Sequence, residues 1–357
     1  MAASLRVLRR RIKSTKNIAQ ITKAMEMVAA SRISKAQARV TASRPYAEEF
    51  THVLTTAAKA GATDHPLLVA RENPTRTGIV VITSDRGLCG GYNANVLREA
   101  ERLSKRVRDA GQEPVLFVVG GKGKAYFAFR NRDIAGAWEG FSEVPDFENA
   151  SAVANAMTAC FLAGGEETVA RPDESDSDSD SDSGTPSSRA PAFVPPRDAE
   201  GLTGVDELHM VYTEFVSVAS QQARSSQVAP LQLDDEESEG SGDSSGSDES
   251  SGSGSSGSSE SSGSSESSER DAEYDFEPEP EVLFESLLPK YVRARVFSGL
   301  LEAAASESAA RQRAMKAATD NANDLVDNLT RESNQARQAM ITQEISEIVS
   351  GANALAE

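Results

Sequence analysis

The chain has 357 residues, 37 basic and 55 acidic side chains and a formal net charge of −18. It contains no run of 18 apolar residues, which excludes a membrane-spanning helix, and its two cysteines, Cys89 and Cys160, are too few for a disulfide framework and fit a reducing compartment. The acidity is concentrated: 166–200 holds 10 acidic and 3 basic residues and 234–281 holds 17 and 1, leaving 33 basic and 28 acidic elsewhere, a remainder of about +5.

The first segment, 4–60, reads as one long helix. Leu5, Leu8 and Ile12, then Ile18, Ile21, Met25 and Val28, recur at three- and four-residue spacings with basic residues between them. The first strong breaker is Pro45, where a bend is expected. At about 1.5 Å per residue this helix reaches roughly 80 Å, more than a single-domain core can hide. Residues 1–44 hold 11 basic side chains and one acidic, Glu26. A basic helix binds nucleic acid, an anionic membrane or acidic protein loops. Nucleic acid fits worst, because the first aromatic is Tyr46 and no stacking platform precedes it. Residues 5–12 are basic and acid-poor like a transit peptide. The helical pattern nevertheless runs past Ser31 without a break, so Met1 is taken as the start of the mature protein.

The middle alternates strand and helix. Strands are expected at 77–83, 114–119 and 207–215, and helices at 93–111 and 147–162. A helix and strand pass through Trp138, the strand at 207–215 runs into a longer segment, and 274–277 is a further candidate strand. This alternation predicts a mostly parallel sheet with helices on its faces. The Ser-Asp run at 175–183 and the Ser/Gly-rich run at 238–268 have almost no apolar side chains and cannot offset the entropy of ordering, so both read as disordered acidic loops rather than calcium or phosphorylation sites.

Two Gly-rich segments follow strands, 84–95 and 120–124. The first lacks both G-x-G-x-x-G and G-x-x-x-x-G-K-[ST]. In the second, Lys122 precedes Gly123 and no Ser or Thr stands where a magnesium ligand belongs. Tight turns that let backbone pack closely are the preferred reading. His52, His65 and His209 show no metal-ligand spacing. Cys89 reads as a small buried residue before a reactive thiol, and Asp85 and Arg86 are expected to tie down their own loop.

From 289 onward a second long helix carries Val292, Val296 and Leu300, then Met315, Ala318, Ala322, Leu325 and Leu329, then Met340, Ile345 and Ile348 on a shared stripe. Alanines at 303–305, 309 and 310 permit close helix approach. The spacing is not a strict heptad, so a loosely wound antiparallel pair is expected rather than a parallel zipper. The fold class is α/β: a long antiparallel coiled coil of the N- and C-terminal helices plus a Rossmann-like α/β domain. The expected division is helix 1–60, α/β domain 75–233 with the first acidic insert at about 166–200, second insert 234–272, a return to the α/β domain at 273–288, and helix 289–357.

Four segments in order, ITKAMEMVAAS (21–31), ITSDRGLCGGYNAN (82–95), HMVYTEFVS (209–217) and NQARQAMITQEISEIVSG (334–351), resemble the γ subunit of bacterial-type F-type ATP synthases. The likeness covers nearly the whole chain outside the acidic inserts, whose length is unusual for that family.

The resemblance implies a central rotor shaft. The terminal helices would enter a head of alternating α and β subunits, and the α/β domain would sit on the proton-driven c ring with the ε subunit. It implies no catalytic site, metal or cofactor in this subunit, and a peripheral place on the cytoplasmic face of a bacterial plasma membrane, held there through the complex. It also implies partner contacts at Lys23, Met25, Arg337, Gln338, Thr342, Gln343 and Glu344, with ordinary interhelical packing the competing reading for Met25 and Thr342. The acidic inserts would be candidates for a brake on rotation. The alternatives are a non-rotating coiled-coil adaptor and an independent nucleotide-binding enzyme.

Overall fold

The computed structural model describes residues 2–59, 67–71, 73–164, 168–169, 193–194, 202–231 and 280–356. In chain order these form α1 (Ala2–Lys59), β1 (Arg76–Ile82), α2 (Tyr92–Asp109), β2 (Glu113–Val119), α3 (Gly121–Phe129), β3 (Gly136–Trp138), α4 (Phe147–Ala163), β4 (Thr168–Val169), β5 (Phe193–Val194), β6 (Leu202–Thr203), β7 (Glu207–Phe215), β8 (Gln221–Ala229) and α5 (Pro280–Ala356).

Six strands make one sheet in the order β5-β3-β2-β1-β7-β8, parallel through its centre and antiparallel at both edges. The central strands are apolar on both faces, as strands covered from both sides must be. Alternation sends Ile79 and Val81 to the α2 side, where Val96, Ala100, Leu103 and Val107 meet them. It sends Val80 and Ile82 to the other side, against Val153, Met157 and Phe161 of α4 and Leu288, Val292, Val296 and Leu300 of α5. At the amino end of β1 the buried Asp206 carboxylate joins neighbouring elements, accepting from Thr75 N, Thr75 Oγ1 and Arg76 N at 2.7–3.0 Å and from Arg71 Nη1 at 2.6 Å.

Several expectations change. The segment after 215 is β8, which closes a hairpin on β7. The first acidic insert is structured at its flanks: Thr168–Val169 pairs with Leu202–Thr203, and Phe193–Val194 pairs with β3. Those flanks hold Val169, Phe193 and Val194, apolar residues that the Ser-Asp run lacks. The Ser-Asp run, the insert at 234–272, the candidate strand at 274–277 and His65 lie outside the described residues.

α5 starts at Pro280, earlier than the expected helix start at 289, and Pro289 lies inside it. A mid-helix proline costs about 3 kcal/mol. Leu288 and Val292 flank it on one face and are fully buried in the sheet core. Each such burial contributes about 1.5–3 kcal/mol, enough to offset the lost hydrogen bond. α1 likewise continues through Pro45.

The rod is antiparallel and in constant register. Thr22 Oγ1 lies 2.7 Å from Thr319 Oγ1, and the Phe50 and Tyr291 rings are 6.2 Å apart, so 28 residues forward on α1 match 28 residues back on α5. Its seam is more regular than the sequence suggests. Leu5, Leu8, Ile12, Thr15, Ala19, Thr22, Glu26, Ala29 and Ile33 are buried or half-buried at alternating three- and four-residue steps, a heptad seam. Ile18, Ile21 and Val28, expected on the inner stripe, are instead more than half exposed. Between Leu5, Leu8 and Ile12 at one end and Ile33 at the other, the seam is filled mainly by small Thr and Ala side chains, while Ile18, Ile21 and Val28 face out.

Candidate functional site

Strand order reverses between β1 and β7, and in open α/β sheets a ligand ordinarily binds in the crevice outside the carboxyl ends of such strands. Here α5 fills that crevice. Tyr92 Oη donates to the Ala303 carbonyl at 3.3 Å and Ser306 Oγ to the Thr213 carbonyl at 3.0 Å. A Cβ on Gly90 would stand 3.6 Å from the Ala314 methyl. Arg313 donates to the Ala219 carbonyl and to Gln221 Oε1, beside an open cleft of about 320 Å³ lined in part by Cys89, Tyr92 and Thr213.

The Gly-rich segment at 120–124 has its amides already paired. At the start of α3, Gly121 N donates to Asp85 Oδ1 (3.0 Å), Lys122 N to the Ser84 carbonyl (3.0 Å), Gly123 N to Thr83 Oγ1 (2.9 Å) and Lys124 N to the Gly120 carbonyl (3.3 Å). A phosphate needs such first-turn amides free. Gly120 serves close packing: its φ is +98°, and a Cβ there would stand 2.3 Å from the Thr83 carbonyl oxygen.

Asp85 does more than hold its own loop. Besides Gly121 N, its carboxylate accepts from Gly140 N and Ser142 N at 3.0 Å each, and its amide donates to Ser142 Oγ at 2.9 Å. One side chain thus ties the loop after β1 to those after β2 and β3. Cys89 is buried, with Asn93 Nδ2 3.2 Å from its sulfur. Burial lifts the Cys160 thiol to about 12.

A charged network joins rod and body. In α5, Arg311 Nη2 donates to Glu307 Oε1 at 2.6 Å and to the Arg86 and Gly87 carbonyls at 3.4 Å each. Arg311 Nη1 stands 3.3 Å from Glu143 Oε1, and the other oxygen of Glu143 is gripped by Arg32 of α1. Burial raises the Glu307 carboxyl to about 7 against the pull of Arg311, and burial with Glu307 nearby pushes Tyr92 well above its usual range. The sequence reading missed this network. Its signal was a Glu-x-x-x-Arg pair inside an Ala/Ser run continuing the buried stripe of Leu300 and Ala303.

The expected contact residues lie elsewhere, in two groups. Lys23 is exposed and pairs with Glu26 at 3.2 Å, while Met25 is half-buried. Arg337, Gln338, Thr342, Gln343 and Glu344 are all exposed. Thr342 Oγ1 donates back to the Gln338 carbonyl (3.0 Å) and Gln343 Nε2 to Glu347 Oε1 (3.0 Å). By the register of the pair, Lys23 and Met25 stand level with 316–318, roughly 30–40 Å along the rod from the second group. The same register places the start of α1 near Met340, so among the described residues the last ~16 residues of α5 project alone for ~25 Å. Ile341, Ile345, Ile348 and Val349 are exposed on that projection.

A two-helix rod seated in the crevice of an α/β sheet, with isoleucines exposed at its overhanging tip, defines a coiled-coil shaft on an α/β body. The family model described as ATP synthase matches residues 4–355. The ATP synthase gamma chain of Mycolicibacterium vanbaalenii is 49% identical, with 100% of this chain and 99% of that protein covered. The gamma chain of Mycolicibacterium smegmatis is 50% identical at the same coverage. The chain belongs to the ATP synthase gamma-chain family. A chain of the Euglena gracilis mitochondrial ATP synthase shares its fold, with TM-score 0.58 at 18% identity, covering 99% of this chain and 95% of that one.

Proposed function

We propose that this chain is the turning central shaft of a proton-translocating F-type ATP synthase, coupling rotation of a membrane c ring to ATP synthesis or hydrolysis in the β subunits of the head. The observation that carries this reading is the ~25 Å overhanging end of a constant-register rod, on which Ile341, Ile345, Ile348 and Val349 are exposed. In a monomeric scaffold, exposed isoleucines at that spacing mark a surface that another protein covers. From Ile345 to Ala356 the tip carries a single charged side chain, Glu347, so it can turn inside an apolar sleeve with few ion pairs to break at each step.

The two helices of the rod also differ in charge. Arg6, Arg9, Arg10, Arg11, Lys13 and Lys16 are exposed on α1, while Asp320, Asp324, Asp327 and Glu332 are exposed on α5. A rotor can bias a partner's conformation only where its contacts differ from state to state. A rod with a basic helix and a helix of mixed charge, Lys316 and Arg331 standing among its acidic residues, presents a different surface to each catalytic site as it turns. In this reading Lys23 and Met25 meet the moving loops of β, and Arg337, Gln338, Thr342, Gln343 and Glu344 meet the upper head of α and β. The α/β domain stands on the c ring beside ε, at the cytoplasmic face of a bacterial plasma membrane. No helix among the described residues is long and apolar enough to cross a membrane, so attachment runs through the complex.

The test is ATP hydrolysis by purified α and β subunits with and without this chain, with a probe on the α/β domain. Stimulated hydrolysis with stepwise rotation supports the shaft. Stable assembly without stimulation or rotation leaves a non-rotating adaptor.

A further inference from the structure

A shaft delivers work only if its body and rod turn as one piece. Beyond the apolar root at Leu288, Val292, Val296 and Leu300, the joint is poor at resisting twist, because the next stretch of α5 carries Ala303, Ala304, Ala305, Ala309 and Ala310, all buried and nearly featureless. Into that run are set two buried charged side chains, Glu307 and Arg311, with 1% and 6% of their surface exposed. Apolar side chains of matching volume in place of a buried ion pair are often neutral or stabilising, so stability does not account for this pair. What a buried guanidinium adds is direction: its planar fork fixes distance and angle together.

The angles fixed here are those between three separate pieces. Arg311 on α5 grips the Arg86 and Gly87 carbonyls of the loop after β1. Through Glu143, in the turn between β3 and α4, it is joined to Arg32 on α1. Asp85 ties those same loops together through Gly121, Gly140 and Ser142, so the body side of the joint is braced across three loops.

We propose that Glu307, Arg311, Glu143 and Arg32 form a torsional clamp locking both rod helices to the α/β body, and that they are positioning residues for rotary coupling. This rests on the shaft reading above. None of the four touches a reacting group. Their role is to prevent the body from turning on the rod while load is applied at opposite ends.

The experiment uses the assembled complex in sealed vesicles, with proton pumping and ATP hydrolysis measured together. A single-molecule probe on the α/β domain records the width of its angular fluctuation while the head is held in one state. The double variant Glu307→Leu, Arg311→Met removes the clamp and keeps the packing. It is expected to assemble and hydrolyse ATP within twofold of the parent, while the fluctuation widens at least twofold and protons pumped per ATP fall at least threefold. Arg311→Lys, which keeps the charge and loses the fork, is expected to fall between. Should the double variant fail to assemble, Arg32→Gln at its part-exposed position carries the test, with the same widening expected. A variant complex with the parent's fluctuation width and pumping ratio overturns the clamp. A parent complex that assembles but never rotates overturns the shaft reading instead.

Discussion

The two ends of α5 carry the same pattern and meet opposite fates. Near its start, Leu288, Val292, Val296 and Leu300 are spaced by four and buried against the sheet; near its finish, Ile341, Ile345 and Ile348 are spaced by four and three and stand exposed. Periodicity states that a helix face is meant to be covered, but it does not state by what. At the root the cover is this chain's own sheet. At the tip nothing among the described residues is near enough, and in the shaft reading the ~25 Å overhang turns that face to another molecule. The comparison separates what stabilises the fold from what performs the function on a single continuous helix.

The sharpest way to break the comparison is truncation of one side chain at the root. Leu300→Ala removes a buried side chain from the main core and is expected to cost about 2–5 kcal/mol, read as the shift in a denaturant midpoint of the purified chain. A cost near zero would mean that the root is docked rather than packed.

The same contrast explains what was legible in the sequence. The central strands and the two rod helices could be read because burial on both faces gives unbroken apolar runs and a long helix gives many repeats of one period. The rod's inner line could not. Seam positions are taken by Thr15, Ala19, Thr22 and Ala29, which carry little hydropathy signal, while Ile18, Ile21 and Val28 face outward and carry much. The start of α5 was hidden by Pro289, whose local rule is overridden by Leu288 and Val292. The motif at 84–95 was visible, yet its main function was not: Asp85 bonds residues 36 and 55–57 positions away, which no local pattern records. The contact residues came from family likeness alone.

Glu307 gives the next largest effect and sharpens the root side. Its folded value of about 7 exceeds the ordinary 4.5 of an unfolded carboxyl. The folded state therefore binds this proton more tightly, and the contribution is full below 4.5 and lost as pH rises through 7. The loss amounts to about 3 kcal/mol. His209 acts in the opposite sense, because burial lowers its value and its contribution is lost as pH falls below 6.5. The difference between the parent and Glu307→Gln isolates the carboxyl. Between pH 5 and 8 the parent is expected to lose stability relative to the variant, measured by denaturant unfolding at each pH. Parallel profiles would mean that burial does not raise the Glu307 carboxyl.

Gly120→Ala should cost about 1–3 kcal/mol, because the residue is held at a positive φ against the Thr83 carbonyl. A melting curve of the purified chain reads it. Gly140, also at positive φ but with nothing within 4 Å of an added Cβ, is the control, and the excess cost at Gly120 measures close packing alone.

The smallest effect on stability is expected to accompany the most specific effect on function. Ile345→Ala with Ile348→Ala removes exposed side chains from the unpaired tip, and in the isolated chain the unfolding free energy should move by no more than about 0.5 kcal/mol. In the shaft reading the assembled complex covers these same two methyl-rich side chains, so their loss should lower the chain's affinity for the α and β head roughly thirtyfold, at roughly 1 kcal/mol for each partly buried side chain. Unchanged affinity would mean that the tip turns without touching its surroundings. Torque would then enter through the charged flanks of the rod, and the salt dependence of coupling would be correspondingly steep.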